Sequence, residues 1–551
     1  MTRNVLLLVL LLAWLPGFAA ARAELPRLTV DTRYVEPHGR VLSVPAGGDF
    51  QQALDEARPG DVIELAAGAV YSGHFILREK RGDDWIVIRS SSAARLPPPG
   101  QRVDPSLAPL MPKLQGDAAP VIATEPGAHH YRFIGIEIRP GDNPRYSTGW
   151  TWQMFRGLIR YAKAAPAGLV GQTLVMLGSG ESRVDRLPHH IIIDRCYLHG
   201  DHLHGTRRGI ALNDRWSAVI DSYLADFKYV GEDSQAIGGW NGAGPFKIEN
   251  NFLEGSGENV MFGGGTPSVP GLVPSDIEIR HNHFYKPRSW KPGTSYYEGT
   301  RWTVKNIFEL KNARRVLVDG NLLENSWSGG QDGYAVLFTV RTDGDRVPWA
   351  VVDDVTLTNN VIKHSESGID FMGIDDGSVR HDGHARHLTI ANNLWVLDGG
   401  RLFQLLDGTH DVVIDHNTAL NVDTVVFGER SPHVGFVFTN NLVSHGRYGI
   451  AGSSTGVGGP TLQRYFPGAV VSRNVMVGGP ANAYSEDNFF PPSLAKVGFV
   501  NRGSGDYRLK PSSPYARAAG DHADIGANFE KMRAAMGPLW DQAMRSENNE
   551  Q

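Results

Sequence analysis

The sequence predicts a right-handed parallel β-helix, a solenoid in which short strands stack coil upon coil. Segments rich in Val, Ile, Leu and Phe recur along the chain, and eight of ten equivalent segment ends are asparagine. The spacings between these ends are 26, 29, 31, 39, 39, 33, 24, 24 and 33 residues. A shared minimum of 24 indicates one unit with insertions of variable length. The ten ends are Cys196, Ser222, Asn251, Asn282, Asn321, Asn360, Asn393, Asn417, Asn441 and Asn474.

Asparagine at a fixed place in each coil has a physical reason. Its side chain tolerates the left-handed turn conformation, and stacked amides can hydrogen-bond along the ladder. Between the asparagines, apolar residues recur with period two, which is typical of strands that bury one face. Helices between the strands, as in leucine-rich repeats, are the alternative, but no consistent 3.6-residue pattern fills the gaps.

The first 23 residues are typical of a secretory signal peptide. Arg3 gives the positive start, residues 5–15 form an apolar segment, and small residues at 19–23 offer a cleavage site. An uncleaved anchor is the alternative, although the apolar run is short for a membrane span. We therefore expect a secreted or periplasmic protein that has no membrane contact after cleavage.

Residues 24–84 are expected to form an N-terminal cap and the first coil. Phe50, Ala53, Leu54 and Ala57 fall on one helical face, and Asp49 can cap that helix. A short helix here would cover the open end of the stacked sheets, where bare strand edges invite aggregation.

The solenoid itself is predicted for residues 85–500, with rim insertions at 144–188 and 287–304. Residues 501–551 are expected to form a C-terminal cap segment that includes a covering helix. The apolar face of that helix would consist of Phe529, Met532, Met536, Leu539 and Trp540.

Composition excludes some classes of function. The chain has 551 residues and a formal charge of −5; the first 23 residues carry two arginines and no acid, so their removal leaves −5 − 2 = −7. An acidic chain without a basic run is a poor candidate for binding nucleic acid. Cys196 is the one cysteine, so no internal disulfide can form. The sequence does not indicate an oligomeric state.

A stretch at residues 305–341 carries the most unusual charges. In NIFELK the alternation of a strand puts Phe308 and Leu310 on one side and Ile307, Glu309 and Lys311 on the other. Two charges that share a face with one isoleucine are an odd choice for a solvated surface, although a simple surface Glu-x-Lys pair is the alternative.

Three motifs stand out across the chain: the FQQALDEARPGDVIEL opening, the Asn-Asn coil ends and the DIGA close. On these motifs the chain resembles, over roughly residues 45–530, the pectate-lyase-like superfamily of β-helix proteins. This resemblance implies the fold much more strongly than the chemistry.

A shorter stretch, IFELKNARRVLVDGNLLEN, resembles the chondroitinase B and alginate lyase family. That resemblance implies that Lys311 is the base of a β-elimination, that Arg341 on the next coil assists, and that Glu258 and Glu309 hold calcium. Chain order places Glu258 two coils earlier, and we expect calcium to be the weakest part of the match. The sequence departs from the family because Arg341 lacks the following His-Gly and the acids lack the Asn-Glu-Glu pattern.

Aromatic residues in the second insertion are candidates for substrate binding. Trp290, Tyr296, Tyr297 and Trp302 lie near the Lys311 coil in sequence, and sugar rings pack their C–H faces on aromatic planes. Packing of the loop onto the solenoid is the alternative.

A histidine cluster about four coils before Lys311 is the secondary candidate. His199, Asp201, His202 and His204 have a spacing that can bind a metal or act in acid–base catalysis. Histidines in turns of such coils are also common without a function.

Paired acids leave hydrolysis open as another chemistry. Glu232, Asp233 and Asp332 could supply the two carboxyls of a glycoside hydrolase, and Asp375 with Asp376 comes near the adjacent pair that polygalacturonase-like β-helices use. Acids in turns, however, often only bind backbone amides.

The sequence therefore predicts an exported polysaccharide lyase that cleaves a uronate-containing glycan. The alternatives are a non-catalytic carbohydrate-binding or surface-structural β-helix, and a glycoside hydrolase. The sequence does not reveal which polysaccharide is bound.

Overall fold

The computed structural model confirms the predicted parallel β-helix. It describes residues 21–117, 120–142, 173–375, 377–379 and 383–545. Most of the predicted signal peptide and most of the insertion at 144–188 lie outside the described residues. Among the described residues, every helix is too short or too polar to cross a bilayer.

Three long parallel sheets contain nearly all of the described strands. Sheet 1 consists of β1 (Val41–Val44), β2 (Val62–Leu65), β5 (Ile86–Ser90), β8 (His129–Ile134), β11 (His189–Asp194), β14 (Ser217–Ile220), β17 (Phe246–Glu249), β20 (Ser275–Arg280), β23 (Ala313–Asp319), β26 (Val352–Thr358), β29 (Ala385–Ala391), β32 (His410–Asp415), β35 (Val437–Thr439) and β38 (Val470–Ser472).

Sheet 2 follows sheet 1 in each coil. It consists of β3 (Val70–Ser72), β6 (Lys113–Gly116), β9 (Glu137–Pro140), β12 (Tyr197–His199), β15 (Tyr223–Phe227), β18 (Phe252–Gly255), β21 (His283–Tyr285), β24 (Leu322–Ser326), β27 (Val361–Ser365), β30 (Leu394–Leu397), β33 (Thr418–Leu420), β36 (Leu442–Ser444) and β39 (Val475–Val477).

Sheet 3 completes the coil and carries the predicted catalytic stretch. It consists of β4 (Phe75–Leu77), β7 (Ile122–Thr124), β10 (Thr173–Leu177), β13 (Arg208–Leu212), β16 (Gln235–Gly239), β19 (Glu258–Phe262), β22 (Phe308–Leu310), β25 (Tyr334–Thr339), β28 (Ser367–Met372), β31 (Arg401–Leu406), β34 (Thr424–Glu429) and β37 (Gly449–Gly452). An antiparallel pair, β40 (Phe499–Asn501) and β41 (Asp506–Leu509), follows the solenoid.

The asparagines form a buried column at the turn between sheets 1 and 2, as predicted. The side-chain oxygen of Asn321 accepts hydrogen bonds from the backbone N–H of Asn282 at 2.9 Å and from its amide at 3.1 Å. Asn360 repeats this pattern for Asn321. The column continues to Asn488, which accepts from Asn474 at 3.0 Å and which the repeat pattern missed because only 14 residues separate the two.

The left-handed backbone lies one residue earlier than the sequence reasoning placed it. Positive φ angles occur at Asn250, Asn359, Asn392 and Asn440, each immediately before a column asparagine. The column residues therefore serve as hydrogen-bonding partners between coils, and the residue before each of them makes the turn.

The N-terminal helix matches the prediction. Helix α1 (Phe50–Glu56) begins after Asp49, whose carboxylate accepts from the backbone N–H of Gln52 at 2.9 Å. Its apolar face joins the main core at the first coils. A further helix, α2 (Gly459–Tyr465), packs near the other end of sheet 3.

The C-terminal helices cover the flank of the solenoid. Helices α3 (Phe529–Met536) and α4 (Leu539–Ala543) bury their apolar side chains against the outer face of sheet 2. Their partners there are Leu322, Val361 and Leu394 on successive coils. An outward-facing apolar stripe on sheet 2 thus finds its cover in the end of the chain.

The asparagine column gives a test of what holds the coils together. We predict that Asn321→Ala lowers the free energy of unfolding by about 3 kcal/mol, because the Asn282 N–H and the Ile279 carbonyl lose buried partners. Urea denaturation of the purified protein measures the loss. Asn501→Ala, at an exposed site at the end of β40, is the control and should change stability by less than about 0.5 kcal/mol. Equal effects of the two substitutions would contradict the structural role of the column.

Candidate functional site

The outer face of sheet 3 carries three polar residues, Glu309, Asp370 and Gln404, at one register position that also includes apolar residues. Successive coils place Met261, Glu309, Leu337, Asp370 and Gln404 side by side. Adjacent coils are separated by roughly 4.8 Å, so groups on neighbouring coils can contact one substrate unit together.

Close to the start of the strands of sheet 3, two successive residues point inward, which corrects the simple alternation expected for NIFELK. Ile307 and Phe308 both belong to the core, as do Ala335 with Val336 in the next coil. Ile307 therefore does not share a face with Glu309. The residue before such an inward pair is turned to the outer face, which is why Glu258 at the start of β19 lies near Glu309.

Lys311 and Arg341 lie on adjacent coils, as predicted. The backbone N–H of Arg341 donates to the carbonyl of Lys311 at 3.1 Å. The Lys311 side chain is 14% exposed, and its Nζ lies 3.3 Å from Glu309 Oε1 and 3.7 Å from Met261 Sδ. Lys311 is therefore a largely enclosed group with a carboxyl neighbour.

Glu258 is closer to Lys311 than chain order predicts. Strand β19 pairs directly with β22, so Glu258 lies one coil away, and the expectation of two coils is wrong. The insertion at 287–304 adds chain length between the two strands without adding a coil. The four predicted catalytic and metal residues thus belong to one neighbourhood.

Lys305, which no sequence pattern indicates, is a further charged residue of this neighbourhood. Its Nζ lies 2.6 Å from Glu258 Oε1 and 3.1 Å from Asp233 Oδ2, and its side chain is almost completely buried. Gln235 donates to the second oxygen of Glu258 at 2.7 Å. Burial alone would raise the pKa of Glu258, but the ammonium groups of Lys305 and Lys311 hold it below its usual range.

Glu309 behaves in the opposite way. Burial raises the pKa of its carboxyl, the nearby Glu258 adds to the rise, and Lys311 only partly offsets it. Its Oε2 is buried without a donor among the described residues, which fits a protonated carboxyl better than a carboxylate. Glu258 is thus the charged acid of this pair, and Glu309 is the acid that tends to be protonated.

The charge of this cluster does not fit calcium at Glu258 and Glu309. Three carboxyls, of Glu258, Glu309 and Asp233, face the two ammonium groups of Lys305 and Lys311. Three negative and two positive charges leave −1, or zero when Glu309 is protonated. Calcium takes roughly six to eight oxygen ligands, and here a lysine ammonium already binds Glu258.

Two other groups of the described residues bring three possible metal ligands together. One consists of His129, His130 and His189, and the other of Asp353, Asp354 and His387. Asp353 already accepts from Arg386 at 2.9 Å and faces His387 at 2.8 Å. Both groups lie on sheet 1, away from Lys311.

The Arg341 side chain forms an ion pair on one side and is accessible to solvent on the other. Its Nη1 lies 3.3 Å from Asp375 Oδ1 and 3.6 Å from Met372 Sδ, while its side chain is 39% exposed. Asp375 is itself fixed by the N–H of Thr342 at 2.9 Å and by its hydroxyl at 3.0 Å. The guanidinium is therefore oriented and still accessible.

The polar row continues beyond Arg341. Burial raises the pKa of Asp370 to about 7, with Arg341 partly offsetting the rise. Gln404, on the next coil, accepts from the hydroxyl of Tyr334 at 2.8 Å and from Arg401. No local pattern points to these residues, because only the stacking of the coils brings them together.

The four aromatic residues predicted to bind substrate fall into a buried pair and a more exposed pair. Trp290 and Trp302 are 1% and 6% exposed, and they enclose the Lys228 ammonium, so the expectation that they stack on sugars is corrected. Tyr296 is 57% exposed and Tyr297 is half-buried, which leaves these two available to a ligand.

The histidine cluster does not form one site. His199 ends β12 in sheet 2, whereas the other two histidines lie in the turn before β13. The three rings face different carboxylates: His199 faces Glu137, His202 faces Asp226 and His204 faces Asp201. The predicted joint role is therefore not supported by their positions.

The acids considered for hydrolysis are mostly engaged in ion pairs. Glu232 lies 3.3 Å from Arg207, Asp233 binds Lys305, and Asp375 binds Arg341. Asp376 lies outside the described residues. Among the described residues, Glu232, Asp233 and Asp375 are therefore each already paired with a cation.

Comparisons with known proteins give structural likeness at low sequence identity. No protein-family model matches the chain, and no curated protein matches it. The PL6 family alginate lyase AlyGC is 12% identical with a TM-score of 0.46, over 92% of this chain and 58% of its own. The catalytic unit of a GH87 α-1,3-glucanase from Streptomyces thermodiastaticus strain HF3-3 is 12% identical with a TM-score of 0.49, over 84% and 71%. Pectate lyase Pel9A is 12% identical with a TM-score of 0.35, over 89% and 96%.

The buried pair of Lys305 and Glu258 gives a prediction about stability. We predict that Lys305→Met and Glu258→Gln each lower the free energy of unfolding by about 3–5 kcal/mol, because each leaves an uncompensated buried charge. The double variant should recover most of the loss, because it removes both charges. Urea denaturation of the four proteins measures the coupling. A double variant that loses the sum of the two single losses would contradict the pairing.

Proposed function

We propose that the protein is an exported polysaccharide lyase that cleaves a uronate-containing glycan at the outer face of sheet 3. The observation that carries the proposal is the position of Lys311 and Arg341 on adjacent coils, beside acids whose charge Lys305 balances. β-Elimination needs a cation for the uronate carboxylate, a base for the C5 proton and a proton for the leaving oxygen. The predicted signal peptide would bring the enzyme to such a polymer.

Arg341 is the group for the uronate carboxylate. It is more exposed than Lys311, and Asp375 contacts only one of its nitrogens, so donors remain for a ligand. A guanidinium binds a carboxylate through two parallel hydrogen bonds and keeps its charge at all working pH values. Withdrawing charge from that carboxylate makes the neighbouring C5 proton more acidic.

Lys311 is the group for the C5 proton. A lysine accepts a proton only in its neutral form, and Lys311 lies beside Glu309, a carboxyl whose raised pKa favours its own protonated form. The C5–H bond breaks as Lys311 takes the proton, the C4–O bond breaks, and a C4=C5 double bond forms. The proton then passes from Lys311 to the leaving oxygen, so the reaction consumes neither water nor an oxidant.

Lys305 supplies the fixed positive charge that the family resemblance assigns to calcium. Its ammonium group lies between Glu258 and Asp233. Its positive charge keeps these two carboxylates from repelling an anionic substrate. No step of this mechanism requires a metal ion.

Residues farther along sheet 3 are placed to bind neighbouring sugar units. Asp370 and Gln404 continue the register row of Glu309, and Arg401 adds a cation beside Gln404. The polymer would therefore run along the axis of the solenoid, across successive coils.

Hydrolysis is a second candidate, favoured by one observation. Glu309 and Asp370 share a register row, two coils apart, and burial raises the pKa of both carboxyls. Two coils span roughly 9.6 Å, near the upper end of the carboxyl separation in inverting glycosidases. A hydrolase gives saturated reducing ends, whereas a lyase gives the ultraviolet absorbance of an unsaturated uronate. A protein that binds the glycan but releases neither product would support the non-catalytic alternative.

The proposed base can be tested with a matched pair of lysines. We predict that Lys311→Met abolishes the rise in ultraviolet absorbance on the uronate polymer that the wild type cleaves, by at least about a hundredfold in kcat, because proton abstraction is lost. Lys363→Met is the control, since Lys363 also contacts a buried glutamate, Glu324, at 3.0 Å, but on sheet 2. The control should retain activity. Full activity of Lys311→Met on that polymer would refute the assignment.

The position of the Lys311 side chain can be tested without changing the lysine. We predict that Gly264→Ala lowers kcat about tenfold or more, because the new Cβ would lie 2.7 Å from Lys311 Cδ and displace the chain. Gly271→Ala is the control: Gly271 has a similar φ of +73°, against +77° at Gly264, but no atom within 4 Å of the new Cβ. Both variants bear the same backbone strain, so equal activities would show that this contact does not position the base.

A further inference from the structure

Four histidines on two adjacent coils form a cluster on sheet 1 that the proposed function does not use. The sequence contains two His-His pairs, and they begin strands β8 and β11. His189 pairs in register with His129, so the second pair lies directly above the first. The cluster lies roughly four coils, or about 19 Å, along the axis from the coil of Lys311.

The four imidazole rings are close enough for several of them to bind one ion. Nδ1 of His129 lies 2.8 Å from Nδ1 of His130, and the same distance separates Nδ1 of His189 from Nδ1 of His190. Between coils, the rings of His129 and His189 stack at 4.7 Å, and those of His130 and His190 stack at 4.5 Å. The ligand nitrogens of His129, His130 and His189 lie within 4.8 Å of one another.

The backbone explains how two successive side chains reach one place. Successive residues of a strand point to opposite faces, but His130 and His190 have φ angles of +56° and +54°. Other coils have a left-handed residue at this position, such as Asp276 and Arg315, so the turn is a general feature of sheet 1. The imidazoles are what distinguish these two coils.

A neutral imidazole is the form that binds metals, and burial lowers the pKa of three of the four rings. Burial lowers the pKa of His189 to about 3, with Arg215 and the other imidazoles adding to the effect. Burial likewise lowers the pKa of His190 to about 4 and lowers that of His130. In a neutral pair one Nδ1 carries the hydrogen and the other accepts it.

The surroundings contain both aromatic walls and opposing charges. Trp216 stacks on His190 at 5.7 Å, and Trp85 contacts the edge of His130 at 5.2 Å. Arg215 disfavours a cation near His189, whereas Asp83 and Asp84 favour one near His130. The cluster therefore has charges of both signs around it.

We propose that His129, His130 and His189 bind a transition-metal ion of the Zn²⁺ class, with water as the remaining ligand. Imidazole nitrogens suit zinc, copper and nickel, whereas calcium and magnesium require oxygen ligands. A tetrahedral ion with metal–nitrogen distances of about 2.0–2.1 Å needs nitrogens about 3.3 Å apart, so the 2.8 Å pair must open by about half an ångström. The hydrogen on a bound Nδ1 moves to Nε2, so the rings release no proton. This proposal does not depend on the proposed function.

The site has a direct test on the full-length protein. Metal is removed with EDTA, and ZnCl₂ is then titrated into the dialysed protein by calorimetry. We expect one ion per chain with a Kd in the low micromolar range or tighter and a higher thermal midpoint with zinc. Co²⁺ on the wild type should give the strong visible bands of tetrahedral nitrogen coordination.

Variants assign the ligands. His129→Gln with His189→Gln should abolish zinc binding, and neither position has a left-handed φ that glutamine would strain. His387→Gln, in the other metal-like group, is the control and should retain binding. Binding that survives the double substitution, or is lost in the control, would overturn the assignment. Absence of both zinc binding and Co²⁺ bands in the wild type would overturn the proposal even if the double variant fails to fold.

Discussion

The register between coils, held by the buried asparagine column, is the constraint on which the rest of the structure depends. Each column amide bonds both the backbone and the amide of the neighbouring coil, so equivalent residues stay side by side however long the loops are. Glu258 and Glu309 are 51 residues apart in the chain, yet they lie on adjacent coils. Function on this scaffold is therefore a matter of which side chains share a row.

Burial of charge is the second constraint, and it shapes the candidate site. Carboxyls on the outer face of a strand are costly when enclosed unless a cation balances them. Lys305 balances the charge of Glu258. Glu309 needs no such partner, because its raised pKa favours the neutral, protonated carboxyl. Under the proposed function, the same arrangement leaves Lys311 and Arg341 as the groups that would face the substrate.

The sequence predicts the fold well because the signals are local. Asparagine spacing, apolar alternation and the cap at Asp49 each depend on residues near in the chain. The structure confirms the spacing and the cap, and it confirms the alternation except at the paired inward residues of sheet 3. That Lys311 and Arg341 lie on adjacent coils was also predictable, since their positions in the chain differ by one coil. The neighbourhood of Glu258 was not, because the length of an insertion says nothing about how many coils it spans. Lys305 lies outside any strand pattern, and only the structure shows that it binds Glu258.

The central claim is a lyase whose acids are neutralised by lysine. The most direct measurement is the ultraviolet absorbance of unsaturated uronate, followed on alginate, pectate and glycosaminoglycans with the wild-type protein after exhaustive chelation and again with calcium restored. The account predicts cleavage of at least one of these polymers at the same rate in both conditions, because the ammonium of Lys305 remains in place. Cleavage that appears only with calcium, or no unsaturated product from any uronate polymer, would contradict it.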